Sequence, residues 1–386
     1  MNDTYLDHNA TTALDRRVLD VMLPWLLEQA GNPTSRHTFG RTARNAIEHA
    51  RTQVAEACGA HASQVIFTAS GTESNNFAIK GISANLTHKR VLLSTIEHPC
   101  VARPAATLQA QGFAIERIDV DYNGKLNKAQ LKTQLKKPAG LISVMLANNE
   151  TGGIQDIAQI GELVKQAGAL MHTDAVQGLG KLPLHFNSLN VHAMTISSHK
   201  VHGPQGAAAL ILDKRVDIQP LLHGGGQEKG LRSGTENIAA IVGFGMACEL
   251  AMTNLAHFSS HTAALRDRLE QGLMQLNATR TSITIFGKTT ARLPNTSFFA
   301  VDGIEGETLV MALDRAGFAV ASGSACSSDS TEPSHVLLAM GVSEDLARGA
   351  IRVSFGTNNT LQQVDDFLAT LTQEISRLKQ LTSIAA

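Results

Sequence analysis

Cysteine is scarce in this chain of 386 residues: there are four, Cys58, Cys100, Cys248 and Cys326, and no two form a CxxC pair. That excludes a local zinc knuckle or redox dithiol and fits a reducing, cytoplasmic compartment. A charge excess is also missing, since 33 Lys and Arg face 34 Asp and Glu. Neither a nucleic-acid footprint nor an acidic tail for a cationic partner is present. No uninterrupted apolar run approaches the ~18 residues of a membrane helix. The opening MNDTYLDHNATT has neither the basic nor the apolar region of a secretory signal. These absences predict a cytoplasmic protein with no membrane span and no direct nucleic-acid contact. Internal repeats are absent, as is a GxxxxGKS/T loop; GFGMAC (243–248) lacks the third glycine and the preceding strand of a dinucleotide site.

What is present is the composition of a folded protein with a sizeable core, 43% hydrophobic and 17% charged. Between residues 15 and 250 short apolar runs alternate with amphipathic stretches. QVIFTA (64–69), RVLLST (90–95), GLISVMLAN (140–148), ALMHTD (169–174), AMTISS (193–198) and GAAALIL (206–212) read as buried strands. RTARNAIEHARTQVAEAC (41–58) and IAQIGELVKQAG (157–168) carry apolar residues at three-and-four spacing and read as helices. Such alternation predicts an α/β fold in three layers around a mostly parallel sheet, with ligands at the carboxyl ends of the strands. Beyond residue 250 a long helix (254–277), four strand-like runs and a terminal helix (361–381) predict a smaller α+β domain. The expected division is a large domain over 15–255 and a small one from 1–14 with 256–386. The small domain carries ASGSACSSDSTEPS (321–334), which reads as a mobile loop.

The strand ends carry the chemistry. Lys200 follows the apolar run TISSH, where a charged amine is costly unless compensated. In a partly dry pocket such an amine has a lowered pKa and forms a Schiff base with an aldehyde. Asp174 closes the strand ALMHTD, where an acid keeps a pyridine nitrogen protonated as an electron sink, or caps a helix. FTASGTESNN (67–76) ends a strand and starts a helix with Ser70 and Glu73 in capping-box spacing, leaving the amides of Gly71, Thr72 and Glu73 for a phosphate. His98, in STIEHPCV (94–101), ends another strand, where an imidazole can stack on a flat ring and move protons.

In order and spacing these stretches resemble the pyridoxal-phosphate-dependent cysteine desulfurases of the NifS/IscS type over essentially the whole length. YLDHNATT, GNPTSRHTFG, GTESNN, EHP, ANNETG, HTDAVQ, SSHKVHGPQG, GGGQEKGLRSGTEN, RLPNTS, SGSACSS, EPSHVL and IRVS carry the likeness. The resemblance implies the fold type I of the pyridoxal-phosphate-dependent transferases, a homodimer and L-cysteine as substrate. It implies Lys200 as the Schiff-base lysine, Asp174 on the pyridine nitrogen and His98 stacked on the ring. Asn149 and Gln177 would face the phenolic oxygen, with Asn149 also near substrate. Thr72, Gly71, Ser197 and His199 would hold the phosphate, joined by Thr235 from a partner copy, and Arg352 would clamp the substrate carboxylate. His8, Gln205 and Lys229 depart from the commoner residues of the family at positions outside its chemistry. The chain ends at KQLTSIAA, short of the extension by which housekeeping members meet their scaffold partner.

Cys326 sits among Ser and Gly with little to pack into a core, the setting of an exposed thiol that can be ionised. The other three cysteines stand beside apolar residues and read as packing. The resemblance makes Cys326 the sulfur acceptor. Its thiolate would attack the sulfur of bound L-cysteine, leave alanine, and hold a persulfide for an acceptor protein in iron–sulfur cluster assembly or thiolation. A selenocysteine or cystine lyase of the same fold is the alternative, in which Cys326 is dispensable.

Overall fold

The computed structural model describes residues 3–277, 282–323 and 332–385. In chain order its strands are Thr4–Tyr5 (β1), Val65–Thr68 (β2), Arg90–Ser94 (β3), Ala114–Ile118 (β4), Leu141–Ser143 (β5), Leu170–Asp174 (β6), Ala193–Ser197 (β7), Ala208–Leu212 (β8), Ile283–Ile285 (β9), Thr296–Val301 (β10), Phe318–Ala319 (β11), Ala321–Ser322 (β12) and Ala350–Ser354 (β13).

Seven of them form one sheet in the order β2-β8-β7-β6-β5-β3-β4. All neighbours from β7 to β4 are parallel, and β8 alone runs antiparallel to both its neighbours. β5, β7 and β8 are buried along their whole length, and β3 and β6 all but their first residue, as strands covered on both faces are. Phe67, Leu92, Ile142 and Met194 point into one core, and Ile66, Val91, Leu93 and Leu210 into the other. The two-residue alternation of a strand thus feeds two helical layers. The helix Thr38–Ala57 turns Ala43, Ile47, Ala50 and Val54 inward at three-and-four spacing, and Ile157–Gln166 does the same with Ile157, Ile160 and Val164. All six expected runs are strands. The edge strand β4 was not expected, because AIERI carries two charges and exposes much of its length, as an edge tolerates.

The later part builds a four-stranded antiparallel sheet, β12-β13-β10-β9, and the short parallel pair β1-β11. Leu6, Leu265, Leu269, Phe299, Ile351 and Phe367 form its core. The boundary expected at residue 255 falls inside one unbroken helix, Ile238–Asn277. The first half of this helix buries Ile241, Phe244 and Cys248 in the large-sheet core, and the second half buries Leu265, Leu269 and Leu273 in the small-sheet core. An 18-residue window of it has a mean hydropathy of 1.6, enough by length and composition to cross a membrane. Here that apolar surface packs on helices Arg16–Leu27 and Thr38–Ala57, and Glu249 interrupts the run.

One buried ion pair positions a loop that matters below. Both guanidinium ends of Arg51 meet the Glu228 carboxylate at 2.7 Å, and Glu228 also accepts the Phe67 amide at 2.9 Å. The segment before Ile238 is thereby tied to β2.

Candidate active site

A cavity of about 360 Å³ opens at the carboxyl ends of β6 and β7, where an open α/β sheet places its ligands. Its wall contains Gly71, Thr72, His98, Asn149, Asp174, Gln177, Ser197, His199, Lys200 and Arg352. These are all the expected site residues but two. Thr235 lies on an exposed stretch outside this wall, and Cys326 falls in 324–331, outside the described residues.

Asp174 is the last residue of β6, and its carboxylate accepts the Asn75 amide at 2.7 Å and the Val176 N–H at 3.0 Å. No helix begins there, so it is not a cap. At the corner of helix Gly71–Asn76, Ser70 Oγ takes the Glu73 N–H at 3.1 Å. The Glu73 amide is therefore spent, and the expected cradle of three amides reduces to those of Gly71 and Thr72. The capping box is also shifted by one, because the Glu73 carboxylate accepts from Ala69 N at 2.9 Å. Arg232 holds that same carboxylate at 2.8 Å.

Lys200 ends the short turn Ser198–Lys200 that follows β7. Its amine donates to the carbonyls of Asn9 and Ala10, both at 2.6 Å, so main-chain dipoles compensate the charge. His199 Nδ1 pairs with Thr11 Oγ1 at 3.1 Å, and burial followed by the nearby Lys200 lowers its pKa to about 4.

His98 caps the helix Pro99–Thr107, its Nδ1 accepting the Cys100 N–H at 3.2 Å and lying 2.8 Å from the Cys100 thiol. A backbone amide only donates, so Nδ1 holds a lone pair and the neutral ring carries its proton on Nε2. Burial lowers the His98 pKa; Asp174 opposes that shift and Lys200 adds to it. His98 is thus neutral near pH 7 and offers an N–H through Nε2. Cys100, read as packing, in fact lines the cavity. Its neighbours raise the thiol pKa, burial above all, so it stays protonated. Cys58 and Cys248 are fully buried, as expected.

The substrate side is held from the N-terminal segment. Arg352, on β13, donates to Asp7 Oδ1 at 2.6 Å and to the Asn149 carbonyl at 2.9 Å, while its Nε has no partner among the described residues. Asn9 donates to the Asn149 carbonyl at 3.2 Å and to Thr296 Oγ1 at 2.9 Å. Gln177 Nε2 donates to the Asn9 carbonyl at 2.9 Å. The sequence reading assigned no role to Asp7, Asn9 or Asn75, although each lies inside a stretch it quoted. Lys181 gave no signal beyond standing four residues after Gln177.

The described flanks of 324–331 meet a wall residue on one side and chain neighbours of wall residues on the other. On one side Ala321 and Ser322 pair with Arg352 and Ile351. On the other, Ser334 hydrogen-bonds Glu150, and His335 Nε2 donates to the Glu97 carbonyl at 3.1 Å.

Glu97 is fully buried behind His98, one carboxylate oxygen accepting Met145 N at 2.7 Å and the other without a partner among the described residues. Burial pushes its pKa up from 4.5 to about 8. Between those values the folded chain holds a proton that the unfolded chain has lost, so this group's contribution to stability falls as pH rises through the window. Glu97→Gln is therefore expected to gain stability relative to the wild type from about pH 5 to about pH 8. Urea titrations at each pH measure this, and parallel profiles for the two proteins would contradict a protonated Glu97.

The described Aminotransferase class-V family matches residues 4–367. The chain is 41% identical over 382 residues to the cysteine desulfurase IscS of Methanosarcina thermophila, covering 98% of this chain and 94% of that protein. Among solved structures it is similar to a NifS-like protein with a TM-score of 0.91 and 37% identity, over 97% of this chain and 99% of the other. A structure titled SspA in complex with cysteine aligns with a TM-score of 0.79 and 32% identity, over 92% and 99%. Likeness of this extent, on a wall that gathers the expected residues, places the chain in the Aminotransferase class-V family, among its pyridoxal-phosphate-dependent cysteine desulfurases.

Proposed function

We propose that the protein releases sulfur from L-cysteine as a persulfide on Cys326, leaves alanine, and passes the sulfur to an acceptor protein for iron–sulfur cluster assembly or thiolation. The observation that carries this reading is the convergence of ten expected residues on one cavity wall. Similarity to SspA, whose structure holds cysteine, supports the substrate.

The cavity suits pyridoxal phosphate. Ser197 Oγ is buried there with no partner among the described residues, and a Cβ at Gly71 would lie 3.6 Å from the Ser197 Cβ and 3.1 Å from Val176. Glycine therefore keeps open the space beside an orphaned hydroxyl, as an anion cradle needs. Ser197, Thr72, His199 and the Gly71 amide would hold the phosphate; Asp174, braced by Asn75, would hold the ring nitrogen; Lys200 would hold the aldehyde carbon. When bound, the cofactor supplies an electron sink for the substrate's α-carbon.

This chain's own groups do the rest. Arg352, pinned by Asp7, keeps Nε for the substrate carboxylate. Lys200, once displaced by substrate, is the base for the α-proton. His98, with its proton on Nε2, donates toward the substrate and the ring face. Cys326 attacks the substrate sulfur: a new S–S bond forms, the substrate C–S bond breaks, and its electron pair returns to the carbon that becomes alanine.

Thr235 is exposed on a loop anchored by Arg232–Glu73 and Arg51–Glu228. That placement fits a homodimer in which Thr235 completes the phosphate site of the other copy. The four scattered cysteines fit a cytoplasmic enzyme. The cofactor-loaded protein is expected to form alanine from L-cysteine, measured by amino-acid analysis. Absence of alanine, with dithiothreitol present to clear the persulfide, would defeat the proposal.

A further inference from the structure

Lys181 is a buried amine that the chemistry above leaves unused, its pKa drawn well below the ordinary value by burial and then by Lys200 and Arg352. It is 4% exposed, and among the described residues no carboxylate lies within ion-pair distance of it. Its amine donates to Gln177 Oε1 at 2.7 Å and to Asn9 Oδ1 at 2.8 Å. A lysine inside a protein without an acid is expensive, so this arrangement needs an account. The groups facing it are Lys200 after β7, Arg352 on β13 and His8 in the N-terminal segment. None of them is an acid. Arg352 is itself paired with Asp7.

The Lys181 amine is the donor in both of these bonds. Lys181 therefore claims the oxygen end of the Gln177 amide, and the NH2 end must face away from it. One N–H of that end reaches the Asn9 carbonyl, and Gln177 stands on the cavity wall. Asn9 is held independently, because Asn295 Nδ2 donates to its Oδ1 at 3.1 Å and its own NH2 is spent on Asn149 and Thr296. Of the two amides, Gln177 thus depends on Lys181 for the only partner of its oxygen among the described residues. A donor pulling on that oxygen also strengthens the N–H at the other end.

We infer that Lys181 is a positioning residue that holds Gln177 by its oxygen, so that only an amide N–H, polarised by the lysine, can meet the phenolic oxygen of bound pyridoxal phosphate. The inference rests on the functional reading above. When Lys200 carries the cofactor, the phenolic oxygen holds a proton on Lys200 Nζ, and a donor that draws charge from this oxygen loosens that proton. Lys181 acts on the proton through Gln177.

The test is a spectrophotometric pH titration of the visible band of the cofactor-loaded protein. Lys181→Met is expected to raise the midpoint by about one pH unit, the scale of one charge-assisted hydrogen bond. Gln177→Ala is expected to raise it similarly, and Lys181→Met added to Gln177→Ala to move it little further. His98 and His199 also face Lys200 and are common to all four proteins, so they cancel in the comparison. An unchanged midpoint in Lys181→Met overturns the inference. So does an equal shift from Lys181→Met in both backgrounds, which is the signature of bare charge. Should Lys181→Met fail to fold, an unshifted Gln177→Ala overturns it alone, because nothing would remain for Lys181 to act through. A wild-type protein that shows no visible band with pyridoxal phosphate would instead defeat the functional reading.

Discussion

Lys200→Ala is expected to yield a colourless protein after incubation with pyridoxal phosphate, with alanine formation from L-cysteine reduced by at least about 10³-fold. Two losses combine. The amine is the anchoring nucleophile, and no other lysine lines the 360 Å³ cavity among the described residues. It is also the base for the α-proton, a role worth about 10²–10⁴-fold by itself. The fold should survive, because Lys200 serves the core little: it is only partly buried, and its amine donates to two loop carbonyls. Circular dichroism and thermal melting check that point, and absorbance and amino-acid analysis check the rest. Turnover within tenfold of the wild type would remove Lys200 from the mechanism and the cavity from the account.

Cys326→Ser is the second large effect, and it separates two chemistries. The variant should load cofactor and keep its visible band, since no expected cofactor ligand is touched. Alanine formation should fall by about 10²–10³-fold, the order lost with an activated nucleophile, and no sulfur should appear on the protein by intact mass. A serine hydroxyl does not accept sulfur from a thiol. If alanine and free sulfide still emerge at the wild-type rate, the lyase alternative takes the place of persulfide transfer.

Much of this was legible in the chain because a parallel sheet collects its strand ends. Asp174, Ser197 and Lys200 each end, or closely follow, an apolar run, and Gly71 and Thr72 start the helix after another. Their meeting follows from topology once the runs are recognised as parallel strands. The contacts that were not legible join residues far apart in sequence. Asp7 pairs with Arg352 and Asn9 with Thr296, and no periodicity reports such a pairing. Lys181 was hidden for a different reason: a lysine in QGLGKLPL reads as solvated until burial is known. Cys100 was misread because its neighbours are apolar in sequence while its thiol faces His98. The third cradle amide failed because Ser70 had already taken it.

The N-terminal segment has a consequence for how the protein is made. Asp7 bridges to Ser354, and the amides of His8 and Asn9 bond to the carbonyl and hydroxyl of that same residue. Residues 7–9 therefore dock against a strand that lies 345 positions further along the chain. A nascent chain lacking 350–355 has no Arg352 and no seat for Asn9. The residues that would hold the cofactor all precede that strand, so the substrate side of the site is the last part of it to be completed as the chain is made.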